Sequence, residues 1–244
     1  MDLKYSGIEV FDKDAAANNG YLYTQTERLS CKMATQRTTD AILRTGEFEN
    51  RSVLDVACGD GFYSFRFFDR GSMTRFVAAD GAANAVSLAA GRRGERSISL
   101  LVSDAHELPF PDNSFDVVLV QSVLHHDERP LHMIREAFRV APRILIHEPN
   151  GNNVGLKVIE KVSPYHKQHG EKSYSSMRMR RWIRQAGGEP VYQKFAGFVP
   201  MFCSDKVARF TKFWEPVVES VPLLNAMACA VYVTVGVRRS ASHL

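Results

Sequence analysis

Cysteine is scarce in this chain and never falls in a C-x-x-C pair. The four cysteines, Cys31, Cys58, Cys203 and Cys229, are far apart. That spacing speaks against a zinc site or a disulfide framework and predicts a reducing, cytoplasmic setting. An excess of one charge is also missing. The formal net charge is +4 and the basic residues are spread along the chain, which gives little support to a nucleic-acid partner. Long apolar runs are lacking as well. Leu223 to Val237, the most apolar late stretch, is too short and too interrupted for a membrane span. The opening MDLKYSGIEVFDKDAA mixes charges early and has no apolar centre, so a signal peptide is not expected there. No internal repeat or low-complexity tract is found. At 244 residues, with 45% hydrophobic and 24% charged content, the chain suits one α/β domain with additions.

What is present is concentrated in one segment, VLDVACGDGFYS from Val53 to Ser64. An apolar run from Ser52 to Val56 ends in a glycine-spaced turn and is followed by an aromatic helix start. That is the nucleotide-binding corner of a doubly wound fold. Gly59 and Gly61 lack a Cβ, so backbone and ligand can approach closely. A dinucleotide would want a third glycine, and Ser64 stands in its place. Phe62 and Tyr63 also leave little room for a pyrophosphate at the helix N-terminus.

Downstream, Arg75 to Asp80 reads as a second strand ending in an acid, nineteen positions after Gly61. A carboxylate there is placed to accept hydrogen bonds from ribose hydroxyls. Ser97 to Val102 is a third strand, and Asp104 follows it, where an adenine amino group could be held. Pro109, Pro111, Asp112 and Asn113 form a turn. Phe115 to Gln121 is a buried fourth strand.

Together VLDVACGDG, AAD, SDAHELPFPDNSFDVVLV and VLHH resemble the class I S-adenosylmethionine-dependent methyltransferases, and most of all the branch with the ubiquinone/menaquinone biosynthesis enzymes. The motifs run in order from about Ser52 to Asn150. The resemblance implies a Rossmann-like, doubly wound, seven-stranded α/β sheet, mostly parallel with an antiparallel last strand. It implies that S-adenosylmethionine is the cofactor and S-adenosylhomocysteine the product. Asp55, Ala57, Gly59 and Gly61 would line the methionine part of the cofactor. Asp80 would bind the ribose with Gly81 beside it, and Asp104 and Ala105 would meet the adenine. Gln121 would line the site at the end of strand four. At Gly81 a side chain that often packs beside the adenine is missing.

The organisation expected is an N-terminal helical cap over residues 1–50, a cofactor-binding core over 51–150, and a remainder, 151–244, that completes the same sheet. Thr24 to Leu43 is predicted helical, and Tyr5, Phe11, Tyr21 and Tyr23 lie in a stretch that related enzymes use as a lid. Arg129 to Val140 is an amphipathic helix. Arg143 to His147 is strand five, and Asn150 to Ser173 an insertion. Ser175 to Ala186 is a helix closed by Gly187 and Gly188. Its Arg178, Arg180, Arg181 and Arg184 read as a solvated face or an anion-attracting one. Val191 to Phe195 is strand six. Helices are expected at Asp205 to Trp214 and, after Pro216, at Val217 to Ala226. Met227 to Val237 is the last strand.

Methyl transfer asks the protein to hold a nucleophile in line with an already electrophilic methyl. It sometimes also requires removal of a proton from the acceptor. His125 and His126 after strand four, and Glu148 after strand five, are the candidate catalytic residues; His147 is expected to point into the sheet or bond backbone. Many methyl transfers need no base. Tyr21, Tyr23, Tyr165, His166, His169 and Phe198 are candidates for the acceptor pocket. His166, His169 and Glu171 form too weak a pattern to predict a metal. The aromatics from Phe195 to Trp214 would build an apolar pocket, a membrane-touching surface or an ordinary packed cap. The partner expected is a small, apolar or aromatic acceptor, methylated on oxygen by prior; peripheral membrane contact is possible, nucleic acid is not expected and oligomeric state is open. The rival readings are a nucleic-acid methyltransferase, which should carry NPPY or DPPY where this chain has VQSVLHH; a nicotinamide oxidoreductase, opposed by Ser64; and a cofactor-binding protein without turnover.

Overall fold

The computed structural model of the chain describes residues 6–21, 27–162 and 172–239. Strands β1 (Ser52–Val56), β2 (Arg75–Asp80), β4 (Val117–Gln121) and β5 (Arg143–Pro149) are buried through most of their length. Strands covered by helices on both faces read as such apolar runs. With β3 (Ile98–Val102), β6 (Gly188–Ala196) and β7 (Val231–Arg238) they form one sheet in the order β3-β2-β1-β4-β5-β7-β6. Neighbours from β3 to β5 pair parallel, and β7 pairs antiparallel with both β5 and β6. This is the Rossmann-like sheet expected from the sequence, with its antiparallel last strand. Strand order reverses between β1 and β4, the crevice where open α/β sheets bind ligands.

Alternate strand residues feed two cores. On one face Leu54, Val118 and Ile144 pack with Ile134 and Phe138 of α5 (Pro130–Val140) and Ile183 of α7 (Ser176–Gln185). On the other face Val53, Leu119 and Leu145 pack with Ile42 of α2 (Leu29–Leu43) and Phe67 of α3 (Phe62–Arg70). Helix α1 (Ser6–Asn18) lies against α4 (Ala83–Arg92). Asp12 of α1 accepts hydrogen bonds from the Asn84 backbone N–H (2.7 Å) and side-chain Nδ2 (2.8 Å), and so caps the start of α4.

Two expectations change. Asp205 to Ala226 was expected as two helices parted at Pro216, but α8 (Asp205–Ser220) runs through Pro216, and only a short α9 (Leu224–Ala228) follows. Proline removes one helical hydrogen bond. Tertiary anchors on both sides of it hold the helix together: Glu215 accepts the Phe198 N–H (3.0 Å), and Glu219 accepts the Gly197 N–H (2.9 Å) and the Arg37 Nε–H (2.7 Å). The insertion after strand five carries helix α6 (Val154–Val162). Buried Asn150 braces its start, donating to the Ala226 (2.8 Å) and Cys229 (2.9 Å) carbonyls.

Candidate active site

The β1–α3 loop is held from beneath. Asp55, at the end of β1, is buried, and its carboxyl oxygen lies 2.5 Å from Ser64 Oγ. Ser64, the residue that argued against a dinucleotide, thus has a positive role in seating α3. Burial pushes the Asp55 carboxyl up to about 7, with the nearby Asp80 charge adding to the rise. Ala57, Gly59 and Gly61 all take left-handed backbone (φ +61°, +56° and +78°). A Cβ on Gly59 would come within 2.7 Å of the Tyr21 ring, and one on Gly61 within 2.6 Å of Phe65 and 3.0 Å of Ala89 Cβ. The first glycine lets the N-terminal segment approach; the second lets α3 and α4 approach.

Asp80 ends β2 half-buried. Its carboxylate accepts the Gly59 N–H (2.7 Å) and the Ala82 N–H (2.8 Å), fixing the glycine loop to the neighbouring strand end. Beside it, a Cβ on Gly81 would meet Ile8 Cδ1 at 2.8 Å. Ile8 of α1 fills the place where the missing side chain was noted in the sequence. Tyr21 lies edge-on to Phe11 of the same helix (6.1 Å).

At the end of β3, Asp104 accepts the His106 backbone N–H (2.8 Å) and lies 3.0 Å from His106 Nδ1. His106 Nε2 lies 3.0 Å from Asp127, which follows the two histidines in the β4 loop. His106 thus links the loop expected at the adenine to the loop expected at the acceptor. Burial works against protonating it, but the two carboxylates win and raise its pKa. Sequence reading missed this residue, although the D-x-H spacing at Asp104 and His106 was a usable signal. Ala105 packs on the core beside it. Gln121, at the end of β4, is buried, and its Nε2 finds no acceptor among the described residues.

The two histidines separate in role. His125 is buried, with Nδ1 2.7 Å from Glu148 Oε2. Glu148, 0% exposed, also accepts the backbone N–H groups of Val123 (3.0 Å) and Leu124 (2.9 Å) through Oε1. Both oxygens of this carboxylate are thus taken by protein donors, and one of them orients the His125 ring. His126 is half-buried, its ring 4.7 Å from Phe11 and 3.9 Å from the His125 ring. His147 is buried, its Nδ1 3.2 Å from Ser122 Oγ, and burial pushes its pKa down to about 4.

Phe198 is half-buried after β6, its backbone N–H bonded to Glu215. Tyr23, Tyr165, His166 and His169 lie outside the described residues. Asp55, Asp80, Gln121 and Glu148 therefore share one rim, the C-terminal ends of the adjacent strands β2, β1, β4 and β5.

Residues 54–143 match the family described as a methyltransferase domain. The chain is 29% identical to a demethylmenaquinone methyltransferase of Lactococcus lactis over 51% of this chain and 49% of that protein. It is 30% identical to the 27-O-demethylrifamycin SV methyltransferase of Amycolatopsis mediterranei over 54% and 50%. The chain spans about half the length of these curated relatives. Among solved structures, a chain in the complex of the Haloferax volcanii Trm112 methyltransferase activator with a putative methyltransferase shares the fold. Its TM-score is 0.70 at 20% identity, over 94% of this chain and 98% of that one. The cyclase SpnF shares it too, with a TM-score of 0.65 at 18% identity, over 96% and 93%. Residues 54–143 thus match a methyltransferase domain, and the curated proteins similar to this chain include demethylmenaquinone and ubiquinone/menaquinone methyltransferases.

Proposed function

We propose that the protein transfers a methyl group from S-adenosylmethionine to a small, apolar or aromatic acceptor, at an oxygen that gives up a proton. The observation that carries this reading is the shared rim. A half-buried acid and a glycine loop lie at one end of it, an unsatisfied buried amide in the middle, and an oriented histidine at the other end.

The rim fits the cofactor. S-adenosylmethionine supplies an electrophilic methyl on a sulfonium. Asp80 offers its remaining lone pairs to ribose hydroxyls. Ile8 supplies the apolar side of the adenine place beside Gly81. Gln121 has an amide N–H₂ for which a bound ligand would be the acceptor. Asp55 puts a titratable carboxyl beneath the loop, where a nearby cation favours its charged form. Tyr21 and Phe11 cover the loop and exclude water.

On the acceptor side His125 is the general base. Its Nδ1–H donates to Glu148, which leaves Nε2 as the nitrogen that takes a proton. Glu148 holds the tautomer and the ring plane. Phe198, half-buried just past β6, is the aromatic on the acceptor side, which favours an apolar molecule over a nucleic acid.

Calorimetric titration with S-adenosylmethionine, S-adenosylhomocysteine and NADH tests the cofactor half. Micromolar binding of the first two and none of the third is expected. Asp80→Ala should weaken it by about tenfold or more, since a hydrogen bond to a charged group is worth about 1.5–3 kcal/mol. Unchanged affinity in that variant would remove the ribose role. Binding without methyl transfer to any phenol or enol in a panel would leave the non-catalytic reading standing instead.

A further inference from the structure

We infer that the protein docks on anionic bilayer surfaces through the outer face of α8. This inference stands apart from the proposed reaction, because it is read without turnover.

Helix α8 carries a buried stripe and, beside it, an exposed apolar one. Ala208, Thr211, Glu215 and Val218 are buried. The neighbouring stripe carries Val207, Phe210, Trp214, Val217 and, just past the helix, Val221, all exposed at helical spacing, with Phe213 at its flank toward solvent. Phe210 is 64% exposed and Phe213 74%. The patch runs on into Leu223, Leu224 and Met227, with Leu223 78% exposed. Single exposed apolar side chains are ordinary, but a contiguous face with two phenylalanines and a tryptophan marks a contact surface.

Charge selects the occupant. Lys206 and Arg209, both exposed, flank the aromatics on the same helix. Lys212 lies on the far side of the helix, paired with Glu215, where it lines a groove with Lys32, Arg66, Met33 and Gln36. Two of the helix's acids are turned inward: Glu215 and Glu219 bond the Phe198 and Gly197 backbone and sit beside Arg37. Asp205 is the one acid left exposed on α8. Aromatic and aliphatic residues on one side with lysine and arginine at the flank are the pattern of a helix lying in a membrane interface. No described helix is long and apolar enough to cross a membrane, so the contact is peripheral. A second copy of the chain fits less well. A twofold contact that sets this stripe of both copies face to face and antiparallel brings the two basic flanks together.

Its place in the fold gives the contact a use. Glu215 and Glu219, on the inner side of α8, hold Gly197 and Phe198 just past the end of β6, at the edge of the sheet where ligands bind. A bilayer on the outer side of α8 would lie one helix away from that edge.

The test is cosedimentation of the whole protein with vesicles of phosphatidylcholine alone and of phosphatidylcholine with phosphatidylglycerol. Binding to the mixed vesicles should exceed binding to the neutral ones by about tenfold, in line with two basic residues near an anionic surface. Phe210→Ser with Phe213→Ser should lower it by about tenfold or more, with circular dichroism unchanged because both side chains face solvent. Lys206→Glu with Arg209→Glu should remove the preference for phosphatidylglycerol. In a Trp182→Phe background Trp214 is the remaining tryptophan, and its emission should shift to the blue on mixed vesicles. Equal, weak sedimentation with both vesicle types would overturn the inference. So would a dimer in sedimentation equilibrium that the two phenylalanine substitutions dissociate, since the patch would then belong to a second copy.

Discussion

Asp80 and Glu148 do the same local job at opposite ends of the rim. Each ends a strand, and each accepts backbone N–H groups from the loop that follows the neighbouring strand. Asp80, on β2, ties down the loop after β1; Glu148, on β5, ties down the loop after β4. The difference lies in what else reaches them. Asp80 is half-buried and shares its oxygens with two N–H groups, so it can still accept from a ligand. Glu148 is fully buried and takes two N–H groups and a histidine. Sequence alone makes them look alike, as acids at strand ends. Burial and donor count divide them: Asp80 keeps lone pairs open toward the rim, and Glu148 has its oxygens taken by protein donors.

Replacing Glu148 is the largest way to break that likeness. Glu148→Ala strands two buried N–H groups and one imidazole N–H. Leaving a buried donor without its acceptor costs about 1–3 kcal/mol, and the sum over these donors is what urea unfolding would read. Glu148→Gln should recover most of that stability, because the amide oxygen still accepts from Val123 and Leu124. Its N–H₂, however, donates to His125 Nδ1 and moves the ring proton to Nε2. Turnover should then fall about a hundredfold or more, the usual range for losing a general base, while cofactor affinity holds. Full activity in the glutamine variant would mean that His125 takes no proton.

The two rims also differ in how far they could be read in advance. The strand–loop–helix at Val53 to Ser64 was legible because glycine spacing and an apolar run are local signals, and β1 and β2 fall on the expected residues. Asp80 followed from spacing, and Gly81 from the resemblance. Helix α1 was not seen. Its sequence, SGIEVFDKDAAAN, has little amphipathic pattern, and it is held by Asp12 capping α4 and by Ile8 on Gly81, contacts far apart in sequence. Pro216 misled because local propensity marks a break there, while Arg37, 182 positions from Glu219, supplies the anchor. The ranking of His125 above His126 was likewise hidden, since it depends on Glu148 across the sheet.

Acidity sharpens the comparison further. The Asp55 carboxyl, ordinarily near 3.8, is raised by burial to about 7 in the folded chain. Between about pH 4 and 7 the folded protein keeps a proton that the unfolded chain has released, so this group makes stability fall as pH rises and then level off. His147 works the other way. Burial lowers it from 6.5 to about 4, so the unfolded chain binds the extra proton and stability rises with pH across that window. Asp55→Asn keeps an acceptor for Ser64 and removes the first slope. Its stability relative to the parent should grow from pH 4 and flatten above 7, by about 2–4 kcal/mol at most, from a shift of some three pKa units at 1.36 kcal/mol each. Urea midpoints at pH 5 and 8 would read it; a constant difference would show that Asp55 is ionised throughout.

The smallest effect concerns the backbone that both carboxylates hold. Ala57 follows β1 and Ser122 follows β4, and both take left-handed φ (+61° and +52°). That conformation costs a residue with a Cβ about 1–2 kcal/mol. Gly59, two residues on, is bound by Asp80; Val123, the next residue, is bound by Glu148. Glycine at either position relieves the strain but adds about 0.5–1 kcal/mol of unfolded-state entropy. Ala57→Gly should therefore gain about 0.5–1 kcal/mol in urea unfolding, with nothing else lost. Ser122→Gly also forfeits the contact of its hydroxyl with His147, 3.2 Å away, and should come out near neutral. A gain at 57 without one at 122 would mean that the strand-end strain is the same on both sides and that only the acceptor side offsets it with a side-chain bond. Equal gains would mean that the Ser122 hydroxyl contributes nothing to seating His147.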